Sequence, residues 1–182
     1  MLFRGRLPVH AKGYMTNLIT DHSLAFIKRH KAKPFFLYVS HESPHLPFQS
    51  PKDAKKRVDK SNWMTLDADA YVAMLEDLDC EVGRVLGALE RHHLADNTLV
   101  IFMSDNGGFA GAANMGPLRG AKSTTREGGI RVPLIMRWPG RIRAGTTSHQ
   151  VCATFDLTRS ILTLAAAKVP ANRLDGFDIV NH

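Results

Sequence analysis

An acid, an amide, a lysine and a histidine stand where they could handle an oxygen-rich anion. Ser104-Asp105-Asn106-Gly107-Gly108 follows directly on the apolar run Leu99-Val100-Ile101-Phe102-Met103. That order puts a carboxylate and an amide oxygen on the turn ending a buried strand, the place where open α/β sheets gather ligands. Such oxygens suit a hard cation, calcium or magnesium, although two side chains cannot complete a site that takes six or more donors. Downstream, Gly116-Pro117-Leu118-Arg119-Gly120-Ala121-Lys122 presents a compact, mobile cation able to bind an anion's oxygens. Upstream, Ser43-Pro44-His45-Leu46-Pro47 holds between prolines an imidazole suited to moving protons near neutral pH.

Each feature also has a plainer reading. Asp, Asn and Gly dominate turns for backbone reasons, and composition alone favours a simple turn at 105–108. Most lysines are merely exposed, and a histidine can do no more than cap local backbone groups. The chain has nine histidines, so one chosen without its neighbours is uninformative; His41, His92 and His93 are left in that class.

The elements that must position these residues follow from hydrophobic spacing. Asn17 to His30 carries apolar Leu18, Ile19, Ala25, Phe26 and Ile27, with Lys28, Arg29 and His30 gathered where a helix C-terminus favours cations. Pro34-Phe35-Phe36-Leu37-Tyr38-Val39-Ser40 is short and continuously apolar, which predicts a strand buried on both faces and leading to His45. From Asp67 to His92, apolar Tyr71, Met74, Leu75, Leu78, Val82, Val85, Leu86 and Leu89 form the stripe of a long helix lying against a sheet. Strands are predicted at Thr98–Met103 and Val132–Trp138, and a helix over Asp156–Ala167 with Leu157, Ile161, Leu162 and Leu164 inward. Strand, crossover helix and strand in this order imply parallel neighbours in a layered α/β domain. The segment from Gly107 to Gly129 lacks regular periodicity, and loops of that length are often functional.

Three of these segments, His45 between its prolines, Ser104-Asp105-Asn106-Gly107-Gly108, and Gly116 through Lys122 to Ser123-Thr124-Thr125-Arg126-Glu127-Gly128-Gly129-Ile130-Arg131-Val132-Pro133, resemble in sequence and order the second half of a type I sulfatase catalytic domain. The likeness runs from about Tyr14 to about Asp178. It implies the layered alkaline-phosphatase-like fold with a mostly parallel sheet between helices, here without its N-terminal part, as one partial catalytic domain spanning 1–182. It also implies hydrolysis of sulfate monoesters, arylsulfatase fashion, with one calcium ion and a formylglycine nucleophile made in a C-x-P-x-R context. By the same resemblance Asp105 and Asn106 are metal ligands, His45 and Lys122 contact the sulfate and serve catalysis, Arg119, Glu127 and Arg131 brace the lysine loop as a buried pair and neighbour, and Asp175-Gly176 is a structural closing element. The partner implied is a sulfate-ester small molecule or sulfated glycan.

One departure qualifies that expectation. The family's paired acids and nucleophile motif belong ahead of Gly13, and none of the first twelve residues fits them. Cys80-Glu81-Val82-Gly83-Arg84 has Val82 where proline is required and lies in a helical stretch, and Cys152-Ala153-Thr154 bears no likeness to the motif. The chain by itself is therefore expected to lack its nucleophile and sulfatase turnover. The alternatives are a catalytically inactive truncated remnant, or a phosphate or phosphonate monoester hydrolase of the same superfamily.

Bulk properties narrow the rest. A chain of 182 residues, 44% hydrophobic, can bury one substantial core. No apolar run reaches the roughly 20 residues of a membrane span, and Met1-Leu2-Phe3-Arg4-Gly5-Arg6 lacks a secretory signal's apolar core. Complete family members are commonly exported, periplasmic or lysosomal, so compartment is left open, as is oligomeric state. The two cysteines read as small buried hydrophobes. The net charge of +7 and pI near 9.7 suit any polyanion. Nucleic acid is disfavoured because the run Lys52 to Lys60 is interrupted by acids and has no aromatics to stack on bases, which makes it a solvated loop.

Overall fold

The computed structural model describes residues 2–56, 58, 61–168 and 173–180, which divide into two compact units, 1–144 and 145–182. The end of the basic run, at Arg57, Asp59 and Lys60, lies outside the described residues.

The first unit opens with a hairpin, β1 (Leu2–Arg4) against β2 (Leu7–Val9), with Phe3 opposite Pro8 and Gly5 taking the positive φ of 63° that its tight turn requires. Helix α1 (Met15–His30) ends on Lys28, Arg29 and His30, as its charge pattern predicts. Its most buried face is polar: Thr16, Thr20 and Ser23 share it with Ile27. Helical spacing puts these four in one row, and Ser23 satisfies its hydroxyl by donating to the Ile19 carbonyl at 2.8 Å.

Helix α2 (Ala68–Arg91) starts at Asp67, whose carboxylate accepts the Ala70 N–H at 2.9 Å, and stops where the His92 N–H returns to Ala88 and His93 turns to φ 57°. α2 packs along α1. The stripe read from the sequence is shifted: Leu75 is exposed, while Ala70, Met74, Glu81, Ala88 and Leu89 are buried. The helix meets α1 rather than a sheet along this face, and small or hydrogen-bonded side chains let two helices approach. Ile27, Ala88 and Leu89 form the core with Leu24, Phe35, Leu37, Val85, Leu94 and Val100 packed around them.

Strands β3 (Val100–Met103) and β4 (Leu134–Arg137) are antiparallel, with Val100 opposite Arg137 and Phe102 opposite Ile135. The expected parallel pairing is not formed among the described residues. The run 34–40 corrects the reading of a doubly buried strand. Phe35, Leu37 and Val39 are half-buried, but Phe36 is 65% and Tyr38 78% exposed, and no strand lies beside the segment among the described residues. The segment carries no regular secondary structure. An unbroken apolar run says the chain is extended, and only a neighbour makes it a strand. Between β3 and β4 lies the irregular segment expected there, closing with the one-turn helix α3 (Glu127–Ile130).

In the second unit, α4 (Thr154–Leu164) begins two residues earlier and ends three residues sooner than its apolar pattern. Ala153 has no oxygen with which to cap it. Asp156 compensates: buried to 1% exposure, it accepts the Ala153 N–H at 2.7 Å and the Phe177 N–H at 3.0 Å. Ser160, equally buried, donates to the Asp156 carbonyl and accepts the Ile179 N–H at 2.9 Å. Leu157 is buried, while Ile161, Leu162 and Leu164 are only half-buried. No helix among the described residues is long and apolar enough to cross a membrane.

Candidate functional site: an acid-amide turn laced to a lysine loop

The end of β3 is joined to the lysine loop by main-chain hydrogen bonds. Ser104 N–H reaches the Pro133 carbonyl at 3.4 Å, Gly107 N–H the Gly129 carbonyl at 2.9 Å, and Lys122 N–H the Gly108 carbonyl at 2.9 Å. Within the lysine loop, Gly128 N–H donates to the Arg119 carbonyl at 2.8 Å, and Thr124 binds Ala121 through both backbone and hydroxyl. The glycines permit this closeness. A Cβ on Gly107 would overlap the Gly128 carbonyl, and one on Gly128 would overlap the Gly120 carbonyl. Asp105, Asn106 and Lys122 are thus carried by two loops fastened to each other.

Asp105 is exposed and Asn106 half-buried. Neither side chain makes a hydrogen bond or ion pair among the described residues; the local turn is held instead by the Ser104 hydroxyl donating to the Asn106 carbonyl at 2.9 Å. Two uncommitted hard oxygens on a braced turn fit part of a divalent-cation site. No group of three or more His, Cys, Asp or Glu side chains among the described residues could hold a metal, so an ion here would draw its remaining donors from elsewhere.

His45 is exposed, and its Nδ1 lies 2.8 Å from the Leu46 carbonyl. A carbonyl only accepts, so Nδ1 carries the proton and the neutral ring presents Nε2 as its base. The plainer reading of His45, a local backbone cap, is therefore realised without consuming the second nitrogen. No hydrogen bond joins His45 to Asp105, Asn106 or Lys122 among the described residues. Their segments meet through aromatic packing: Phe48 lies edge-on to Phe109, with centroids 6.5 Å apart, and tilts against Tyr71 at 5.2 Å. The Tyr14 hydroxyl fixes the same segment by donating to the Gln49 carbonyl at 2.9 Å.

Two expectations need correction. Glu127 and Arg131 do pair, at 3.0 Å, but both are exposed, because positions four apart on α3 face solvent together. Arg119 braces the loop through its backbone carbonyl, which accepts from Gly128. Cys80, expected to be buried, is exposed on α2, and both cysteines are free. Gly176 does serve structurally: it passes so close to the Phe155 carbonyl that no side chain fits.

The sequence pattern missed the polar cluster behind His45. Asn17 donates to Glu81 at 2.8 Å and to Asp77 at 3.5 Å, and Arg84 reaches both Glu81 and Asp21 at 2.6 Å. Burial holds His41 below its ordinary pKa, opposed by the charges of Glu81 and Asp77, and burial raises Asp77. Asn-x-x-x-Asp on one helix and Asp-x-x-x-Glu on another mark such a cluster only once the two helices are known to pack.

The family can be stated directly: the sulfatase family profile matches residues 3–167, and the chain belongs to that family. A sulfatase of Formosa agariphila is 38% identical over 182 residues, covering 91% of this chain and 32% of that protein. The N-acetylgalactosamine-6-sulfatase of Sus scrofa is 34% identical over 189 residues, covering 98% of this chain and 35% of that protein. Among solved structures, Ps i-CgsB in complex with k-i-k-neocarrahexaose superposes with a TM-score of 0.86 at 33% identity, over 97% of this chain and 40% of that one. The chain therefore has the sulfatase fold and spans about a third of the length of the curated relatives it matches.

Proposed function

We propose that this chain is the sulfate-handling part of a sulfuric ester hydrolase acting on a sulfated glycan or small sulfate ester. The observation that carries the proposal is the main-chain lacing of the Asp105–Asn106 turn onto the Lys122 loop, which fastens together the segments that bear the proposed cation ligands and the proposed anion-binding lysine. Asp105 and Asn106 would supply two oxygens to one calcium ion, whose charge, when it is bound, offsets that of the sulfate. Lys122 binds a sulfate oxygen and counters the charge that grows as the ester bond breaks. His45, protonated on Nδ1, uses Nε2 to take or give a proton at the ester oxygen. Ps i-CgsB, which carries an oligosaccharide, favours a glycan as the substrate class.

The formylglycine of the complete family member has no precursor motif here, since neither Cys80 nor Cys152 has proline two residues on. The 182-residue chain alone is therefore expected to bind but not turn over. Isothermal titration with calcium and sulfate tests the first part, and release of nitrophenol from a nitrophenyl sulfate the second. Calcium-dependent sulfate binding that is lost in Lys122→Ala supports the proposal. Tighter binding of phosphate than of sulfate would favour a phosphate or phosphonate ester hydrolase. Absence of both, with aggregation through exposed Phe36 and Tyr38, would favour an inactive remnant.

A further inference from the structure

The polar groups between α1, α2 and the segment leading to His45 are too specifically joined to be filler. Glu81 is only 5% exposed, and its two oxygens are taken separately, by Asn17 at 2.8 Å and by Arg84 at 2.6 Å. Asn17 also reaches Asp77, one turn earlier on α2. His41 stands four residues before His45 and within the electrostatic reach of both carboxylates. The His41 Nδ1 and the Asp77 Oδ2 are both buried without a hydrogen-bond partner. Thr16 Oγ1 donates to Ser43 Oγ at 3.4 Å and ties α1 to the same loop. An orphaned nitrogen and an orphaned carboxylate oxygen on adjoining elements each carry an unrecovered desolvation cost. A proton on His41 would be drawn toward Asp77 and Glu81, against the burial that disfavours its charge.

We infer that His41 is a positioning residue which, with Asn17, Asp77 and Glu81, forms a proton-responsive anchor for the loop carrying His45. The inference rests on the reading of His45 as the proton-transfer residue of the site. The charged groups facing His41 are Asp77 and Glu81 on α2; Arg84 is already held by Glu81 and by Asp21 of α1. With His41 neutral, burial is cheap and the loop is held by the Thr16–Ser43 contact and by packing. With His41 protonated, its charge is drawn to Asp77 and Glu81, and the following residues, Glu42 to His45, move with it.

The test follows backbone amides and histidine rings of the whole chain by NMR from pH 5 to 8, with no turnover needed. In the native chain, the amides of Glu42, Ser43 and His45 should shift with the His41 ring, at a midpoint below that of an ordinary histidine. Asp77→Asn removes one attraction and should move that shared midpoint lower. His41→Gln should abolish it. Loop amides that follow only His45, or a shared midpoint unmoved in Asp77→Asn, would overturn the inference. The native chain and Asp77→Asn carry the test even if His41→Gln folds poorly. Sulfate binding measured separately on His45→Ala judges the site itself, so the two readings fail independently.

Discussion

Replacing Gly107 by alanine puts one methyl group where the Gly128 carbonyl already lies. The backbone must separate there, which costs about 1–3 kcal/mol as overpacking. The separation also strains the bonds from Gly107 N–H to Gly129 and from Gly128 N–H to Arg119, each contributing about 0.5–1.5 kcal/mol. The total is about 2–6 kcal/mol, equivalent to a fall of at least about 4 °C in melting temperature for a chain of this size. Gly83→Ala is the control: Gly83 lies inside α2 with nothing near its missing Cβ, so alanine there should stabilise by about 0.5–1 kcal/mol. Thermal denaturation followed by circular dichroism gives both numbers, and hydrogen exchange at the Lys122 and Gly128 amides shows where the damage falls. Gly107→Ala with native melting and native protection of those two amides would refute the idea that main-chain lacing holds the site.

Asp105→Ala should weaken calcium binding at least tenfold, about 1.4 kcal/mol, while leaving the melting temperature of the metal-free chain unchanged, because the side chain is exposed and makes no hydrogen bond or ion pair among the described residues; calorimetry and thermal melts check both halves. Asp156→Ala strips the Ala153 and Phe177 backbone N–H groups of their acceptor and should cost about 1–3 kcal/mol, read as loss of exchange protection at Ala153 and Phe177. Glu127→Ala breaks only an exposed pair and should change stability by less than about 0.5 kcal/mol in urea denaturation. The pH dependence has two opposing parts. His41 is depressed by burial, so its contribution to stability is full above the unfolded-state value near 6.5 and is lost as pH falls toward its folded value; Asp77 is raised by burial, so its contribution is full below about 3.8 and is lost as pH rises through its folded value. Urea midpoints across pH 4–8 should therefore lose the drop just below neutrality in His41→Gln and rise near pH 7 in Asp77→Asn.

The elements easiest to read are those whose pattern is local. Helix α2 is bounded to within a residue because Asp67 is a side-chain cap and His92 and His93 terminate the turn. The segments at β3 and β4 are visible as short apolar runs ended by Ser104-Asp105 and by Pro139-Gly140. What stays hidden depends on pairs distant in sequence. Thr16, Thr20 and Ser23 are buried on a helix that packs along α2, and an apolar stripe cannot announce a polar one. The aromatic side chains of Phe36 and Tyr38 read as core, but their burial awaits a neighbour that local sequence does not specify. The candidates His45, Asp105, Asn106 and Lys122 are picked out by their motifs, while the bonds that join the 105–108 turn to the lysine loop are not, because N–H and C=O groups carry no side-chain code beyond the glycines that let them meet.

The lacing also sets how this site tolerates variation. Every residue except proline brings the N–H and C=O that the joints at 107, 108, 119, 122, 128 and 129 use. Most residues from Ala110 to Leu118, with Ser123 and Thr125, lie between those joints, so a randomised library could recode their side chains without respecifying where Asp105, Asn106 and Lys122 stand, provided Phe109, Asn114 and Thr124 keep the contacts they make with Phe48, Gly116 and Ala121. Beyond those, such a library must hold fixed the glycines at 107, 108, 111, 116, 120, 128 and 129, together with a ban on proline at 122.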